Sequence, residues 1–160
     1  MDAPFWILYQ SPIGWIEIGG TDGAVTELRF VSGKRFRGED PTPALRQSVR
    51  QLDEYFLGRR TEFSVPLKTD GTAFQEDVWR VLRAIGFGMT ASYQEIARLV
   101  GRPEAVRAVG AANGANPISI FIPCHRVIGK DGKLTGYGGG LWRKKWLLAH
   151  EQRQGGFRFA

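Results

Sequence analysis

The sequence predicts an α+β chain in two units: a small α/β unit over residues 1–66, then a helical unit over residues 67–160 containing a helix-turn-helix. Three observations carry this. Stretches rich in β-branched and aromatic residues, punctuated by turn residues, fill Phe5–Phe30. Two capping boxes open helices further on, at Thr72 and Ser92. Charge is unevenly divided: residues 1–64 hold eight Lys/Arg against nine Asp/Glu, and the remainder holds fourteen against seven.

In the first unit, Phe5–Tyr9, Trp15–Ile18 and Val25–Phe30 read as a hairpin plus a third strand, with Ser11-Pro12 and Gly19–Gly23 as the turns. Thr42 is an N-cap with Pro43 at the first helical position. Leu45, Val49, Leu52, Tyr55 and Phe56 follow at helical spacing, and Gly58 ends the run. A short strand is expected at Glu62–Val65. No catalytic constellation gathers here, so the unit reads as scaffold.

In the second unit, Thr72 and Gln75 cap a helix bearing Phe74, Val78, Val81, Leu82 and Ile85 on one face. Ser92 and Glu95 open a short helix through Val100. Gly101-Arg102-Pro103 breaks it, and another helix is expected from about Glu104 to Asn113. Helix, short Gly-containing turn and helix in a basic segment is the helix-turn-helix pattern. The second of these helices is nearly all small residues around Arg107. It suits close approach to a backbone or a narrow groove better than readout of base edges, although Ala and Gly also serve tight helix–helix packing.

Composition excludes several classes. With 160 residues and 42% hydrophobic content the chain can bury a core, and its apolar runs are too short to span a bilayer. Met1-Asp2-Ala3-Pro4 lacks the pattern of a secretory signal. One cysteine forms no internal disulfide, and with only two histidines a Cys/His zinc cluster is not expected. A reducing, cytoplasmic setting follows. The net charge of +6, concentrated in the second unit, points to a polyanionic partner.

That single cysteine lies in Pro123-Cys124-His125-Arg126-Val127, after the apolar run Ile118–Ile122. The expected geometry is a strand or extended segment ending in a turn, where reactive groups are often presented. A lone Cys is commonly a small buried hydrophobe; beside a histidine it is also a candidate nucleophile.

Several ordered motifs together resemble the O6-alkylguanine-DNA alkyltransferases. They are Ser92-Tyr93-Gln94-Glu95-Ile96-Ala97, Arg107-Ala108-Val109-Gly110, Asn116-Pro117, Pro123–Val127, Gly136-Tyr137-Gly138-Gly139 and Leu147-Leu148-Ala149-His150-Glu151. The resemblance runs from about Thr72 to Glu151. It implies a ribonuclease-H-like fold for the first unit and a winged helix-turn-helix for the second. It also implies irreversible, single-turnover transfer of the alkyl group from O6-alkylguanine, and from O4-alkylthymine, to Cys124. His125, reaching the thiol through a water and oriented by Glu151, would activate it. Without the resemblance, His125 reads as a core or turn histidine and Glu151 as a surface carboxylate at a helix end.

The same resemblance assigns the remaining roles. Tyr93 would donate to the flipped base, and Arg107 would fill the space that the base leaves. Ala108, Ala111 and Ala112 would lie in the minor groove of double-stranded DNA. Tyr137, Gly138 and Ser119 would line the base pocket, with the carbonyls of Cys124 and Val127 accepting from the guanine amine. Asn116 would brace the cysteine turn. No cofactor and no metal is implied, since the Cys and His residues by which some members bind zinc are missing here. The chain would act as a monomer, with cooperative binding on DNA left open, as are the preferred alkyl size and three rival readings. These are a damage binder of the alkyltransferase-like kind, against which Cys124 argues; an alkylation-sensing regulator; and a Cys–His hydrolase.

Overall fold

The structure is a computed structural model, describing residues 5–32 and 41–159, with side chains described as far as Gln154. Met1–Pro4, read above for a signal pattern, lies outside the described residues. The chain divides into compact units Met1–Asp70 and Gly71–Ala160, the break falling four residues beyond the boundary read from the sequence.

The first unit is a three-stranded antiparallel sheet in the order β1 (Phe5–Ser11), β2 (Gly14–Gly20), β3 (Val25–Val31), with one helix, α1 (Pro43–Phe56), against it. Ser11 shapes the first turn, its hydroxyl donating to the Gly14 carbonyl (2.7 Å) and accepting from the Ile13 N–H (3.1 Å). At the second turn a Cβ on Gly20 would meet the Ala24 carbonyl oxygen at 2.3 Å, so only glycine lets the backbones approach. Alternation sends Ile16, Ile18, Val25 and Leu28 into a core shared with Leu45, Leu52 and Tyr55. Thr42 caps α1 as expected, accepting from the Leu45 N–H.

The strand expected at Glu62–Val65 does not form. The Gln51 side chain satisfies this segment instead, its Oε1 accepting from the Ser64 N–H (2.9 Å) and its Nε2 donating to Ser64 Oγ (2.7 Å). Pairing with β3 shifts to an isolated bridge between Val25 and Leu67.

The second unit holds α2 (Ala73–Arg83), β4 (Ala91–Ser92), α3 (Tyr93–Leu99), α4 (Val106–Gly114), a 3-10 turn (Cys124–Arg126), β5 (Val127–Ile128) and α5 (Leu141–Phe159). Both capping boxes are present, at Thr72/Gln75 and Ser92/Glu95. The helix α4 starts two residues later than its sequence suggests, because Arg102–Ala105 closes a turn first (Ala105 N–H to Arg102 carbonyl, 2.9 Å). Both α2 and α3 pack on α4. The Trp79 indole donates to the Ala112 carbonyl at 2.8 Å, a contact that a small residue at this position permits. The strands β4 and β5 pair in parallel, Ala91 with Val127 and Ser92 with Ile128. This pairing brings the start of α3 beside the segment that follows the cysteine.

Candidate active site

The backbone that presents Cys124 folds back on itself twice. Asn116 clamps the apolar run at both ends: its Oδ1 accepts from the Ile118 N–H (2.9 Å) and its Nδ2 donates to the Ile122 carbonyl (2.8 Å). Within the clamp, the Phe121 N–H donates to the Ser119 carbonyl (2.9 Å) around Ile120, whose φ is +72°. This is a γ-turn in the left-handed region, costing a β-branched residue about 1–3 kcal/mol. Ile118, Ile120, Phe121 and Ile122 are buried, so their packing holds the strained turn in place. An inverse γ-turn follows at Pro123 (φ −81°, ψ 63°), with the Cys124 N–H on the Ile122 carbonyl (2.8 Å). The segment is therefore not the extended strand expected from its apolar run. Cys124 heads the 3-10 turn and is 5% exposed.

Behind the cysteine lies a buried charge cluster. His125 Nε2 and Glu151 Oε2 are 2.7 Å apart, and Nδ1 of the same imidazole has no hydrogen-bond partner among the described residues. Arg126 grips Glu151 with Nε on Oε1 (2.8 Å) and Nη2 on Oε2 (3.1 Å), and its Nη1 donates to the Ile85 carbonyl (2.6 Å). Glu151 lies within α5 at 1% exposure, not at a surface helix end. Burial alone would raise its carboxyl, but His125 and Arg126 outweigh that and hold it well below the usual carboxylate range. Burial lowers His125 against the opposing pull of Glu151, so the imidazole is neutral at neutral pH and able to accept a proton.

The thiol is in a contested field. Burial pushes Cys124 up, and hydrogen bonds from Asn116 and Ser119 and the charge of Lys144 offset this only in part, so the thiol stays above its ordinary value. Tyr137 is raised well above the ordinary phenol value, first by burial and then by Cys124, with the Ser119 hydroxyl opposing. Ser119 and Tyr137 thus stand with the thiol. The Tyr93 hydroxyl is hydrogen-bonded to Thr135 Oγ1, and its ring lies by Gly110 of α4. The Cys124 carbonyl already accepts from the Val127 N–H and from Asn113 Nδ2 (3.4 Å), which weakens the expectation that it is kept for a base amine.

On α4, Arg107, Ala108 and Ala111 are exposed. Ala112 is not, at 2% exposure, and this corrects its assignment to a groove contact: its stripe, with Val109 and Asn113, packs inward. Gly138 is exposed in the loop before α5. The sequence reading missed Arg126, Lys144, Asn113 and Thr135. Arg126 sits inside the cysteine motif but read as one more basic residue, and nothing local marks Lys144 as buried. Among the described residues no group of three His, Cys, Asp or Glu side chains is placed to hold a metal ion, and no helix is long and apolar enough to cross a membrane.

A buried Cys–His–Glu series set on a helix-turn-helix scaffold defines a class: a nucleophilic-cysteine protein with the framework of a DNA-binding domain. The family model described as 6-O-methylguanine DNA methyltransferase, DNA binding domain, matches residues 73–153, and that of the family's ribonuclease-like domain matches residues 5–69. The chain belongs to the 6-O-methylguanine DNA methyltransferase family. It is 51% identical over 148 residues to the methylated-DNA–protein-cysteine methyltransferase of Mycolicibacterium paratuberculosis, covering 90% of each chain. It is 46% identical to the protein of that name from Methanosarcina barkeri, covering 92% of this chain and 97% of the other. The crystal structure of Mycobacterium tuberculosis OGT in complex with DNA is similar at a TM-score of 0.86 and 47% identity, covering 94% of each chain.

Proposed function

We propose that this protein repairs DNA by direct reversal, taking the alkyl group of O6-alkylguanine onto Cys124 in a single irreversible turnover. The supporting observation is the Glu151–His125 contact of 2.7 Å behind the lone thiol. The proton leaves Cys124 toward the free Nδ1 face of His125 through a bridging water, and Glu151 stabilises the imidazolium that forms. The thiolate attacks the alkyl carbon, so the S–C bond forms as the C–O6 bond breaks and the bonding pair stays on O6. The thiol proton is returned to the guanine. The thioether product has no route back to thiol, so each molecule reacts once.

Extrusion of the nucleotide is required, because O6 is inaccessible inside a duplex. Arg107, Ala108 and Ala111 form the exposed face of α4 suited to the minor groove, with Arg107 filling the vacated stack. Tyr93 and Thr135 stand at the mouth of the pocket, and Tyr137, Ser119, Val127 and Gly138 line it. O4-alkylthymine is a secondary substrate in this reading, and the protein acts as a cytoplasmic monomer.

The test is incubation with a duplex containing O6-methylguanine, followed by mass analysis of protein and peptides. One methyl group per molecule, on Cys124, with no second turnover is the expected result. Cys124→Ser should abolish transfer and keep DNA binding. Repeated turnover, or binding without mass gain in the wild type, would sink the assignment.

A further inference from the structure

Tyr137 turns inward from a stretch of glycines: its hydroxyl is buried, while Gly136 and Gly138 on either side are exposed. A Cβ on either of those glycines would meet nothing within 4 Å, so packing there does not hold the loop. Glycine also leaves a backbone more conformational freedom than any other residue.

The contacts that fix the loop come from the first turn of α5. Arg143 Nη1 donates to the Gly139 carbonyl at 2.8 Å, and the same guanidinium lies 4.5 Å from the centroid of the Trp142 ring. The Trp142 ring in turn covers Gly140, where φ is +92° and a Cβ would meet the indole at 3.3 Å. Backbone bonds complete the grip. The Gly140 N–H donates to the Tyr137 carbonyl at 2.8 Å, and the Gly140 carbonyl accepts from the Arg143 N–H at 3.1 Å. At the other end of the loop, Thr135 is bonded to Tyr93 and to Lys144.

We propose that Arg143, seated on the exposed ring of Trp142, is the positioning residue that sets Tyr137 in the base pocket. This deepens the reading of the glycine loop as a wall of that pocket, and rests on it. Neither side chain exchanges a proton; both act through the loop. Their effect falls on the rate of transfer once DNA is bound, because misplacing a pocket wall disturbs the approach of base and thiol. DNA binding itself is left to α4. A guanidinium suits the task, since its plane stacks on the indole while an N–H at its edge donates. Trp142 is 57% exposed, so it adds little to the core, and the seat gives the ring a role.

The experiment measures single-turnover methyl transfer from a duplex containing O6-methylguanine, for wild type, Arg143→Met, Trp142→Ala and Trp142→Phe. At saturating duplex, transfer should slow by about tenfold to a hundredfold in Arg143→Met and in Trp142→Ala. Trp142→Phe, which keeps a ring under the guanidinium, should recover most of the rate. Duplex affinity should stay within about threefold of wild type, with an unchanged slope of log affinity against log salt concentration. A saturating rate equal to wild type in folded Arg143→Met overturns the proposal. So does an unchanged rate with weaker binding and a salt slope reduced by about one, which would make Arg143 a phosphate contact. If Arg143→Met does not fold, the two Trp142 variants decide, since an exposed ring can be replaced without opening the core. Equal rates in Trp142→Ala and Trp142→Phe would overturn the role of the seat. Failure of the wild type to transfer methyl to Cys124 would instead refute the alkyl-transfer reading.

Discussion

Glu151→Gln isolates the charge at the centre of the site while nearly preserving its shape. The carboxylate satisfies His125 Nε2 at 2.7 Å, Arg126 at 2.8 and 3.1 Å, and the Gly88 N–H at 3.4 Å, with 1% exposure. Glutamine keeps one acceptor oxygen but turns an NH2 group toward donors, and it leaves the Arg126 guanidinium buried without a counter-charge. Breaking such a pair costs about 3–5 kcal/mol, and the retained acceptor puts this case near the lower end, about 3 kcal/mol. At about 2–4 °C per kcal/mol for a chain of this size, Tm should fall by roughly 6–12 °C.

The assay is thermal unfolding at neutral pH, repeated toward acid. His125 is held below its ordinary 6.5, so its contribution is present above that value and declines as pH falls beneath it. Glu151 is held below its ordinary 4.5, so its contribution is present above 4.5 and is lost as pH falls through the lower folded value. Wild-type Tm should therefore fall in two stages on acidification, and Glu151→Gln should lack the second. A variant melting within about 2 °C of wild type, no more than a typical surface change gives, would refute the argument. Replacing Arg126 and Glu151 together by leucines should restore part of the loss, because it removes the orphaned charge.

The two alanines on α4 should behave oppositely. Ala111→Asp should leave Tm within about 2 °C and weaken duplex binding by placing a negative charge toward the phosphates, whereas Ala112→Asp should cost about 3 kcal/mol or more as an unpaired buried charge. Unfolding and filter-binding measurements check the pair, and equal Tm losses would contradict the orientation of the helix. Asn116→Ala should cost about 1–3 kcal/mol through its unpaired backbone partners and slow thiol alkylation while sparing DNA affinity. A normal alkylation rate would show that the clamp does not position the sulfur.

Local signals carried much of the fold. The capping boxes at Thr72 and Ser92 and the N-cap at Thr42 are contacts between near neighbours, so their residue types suffice to place the helix starts. Glu62–Val65 has strand-like composition yet forms no strand. Its backbone partner is a side chain on α1, thirteen positions away, that no local pattern reveals.

For the site the division is sharper. Chemistry resides in residue types, so the lone Cys124 with His125 beside it could be singled out from the chain alone, and the ordered motifs added Glu151 and Tyr93. Burial and facing are decided by packing between distant segments. Only the tertiary structure turns Ala112 inward under Trp79 while Ala111 stays outside, places Glu151 inside α5 under the grip of Arg126, and buries Lys144 where its charge acts on the thiol. Electrostatic energy depends on distance and on exclusion of water, and neither quantity exists until the chain has folded.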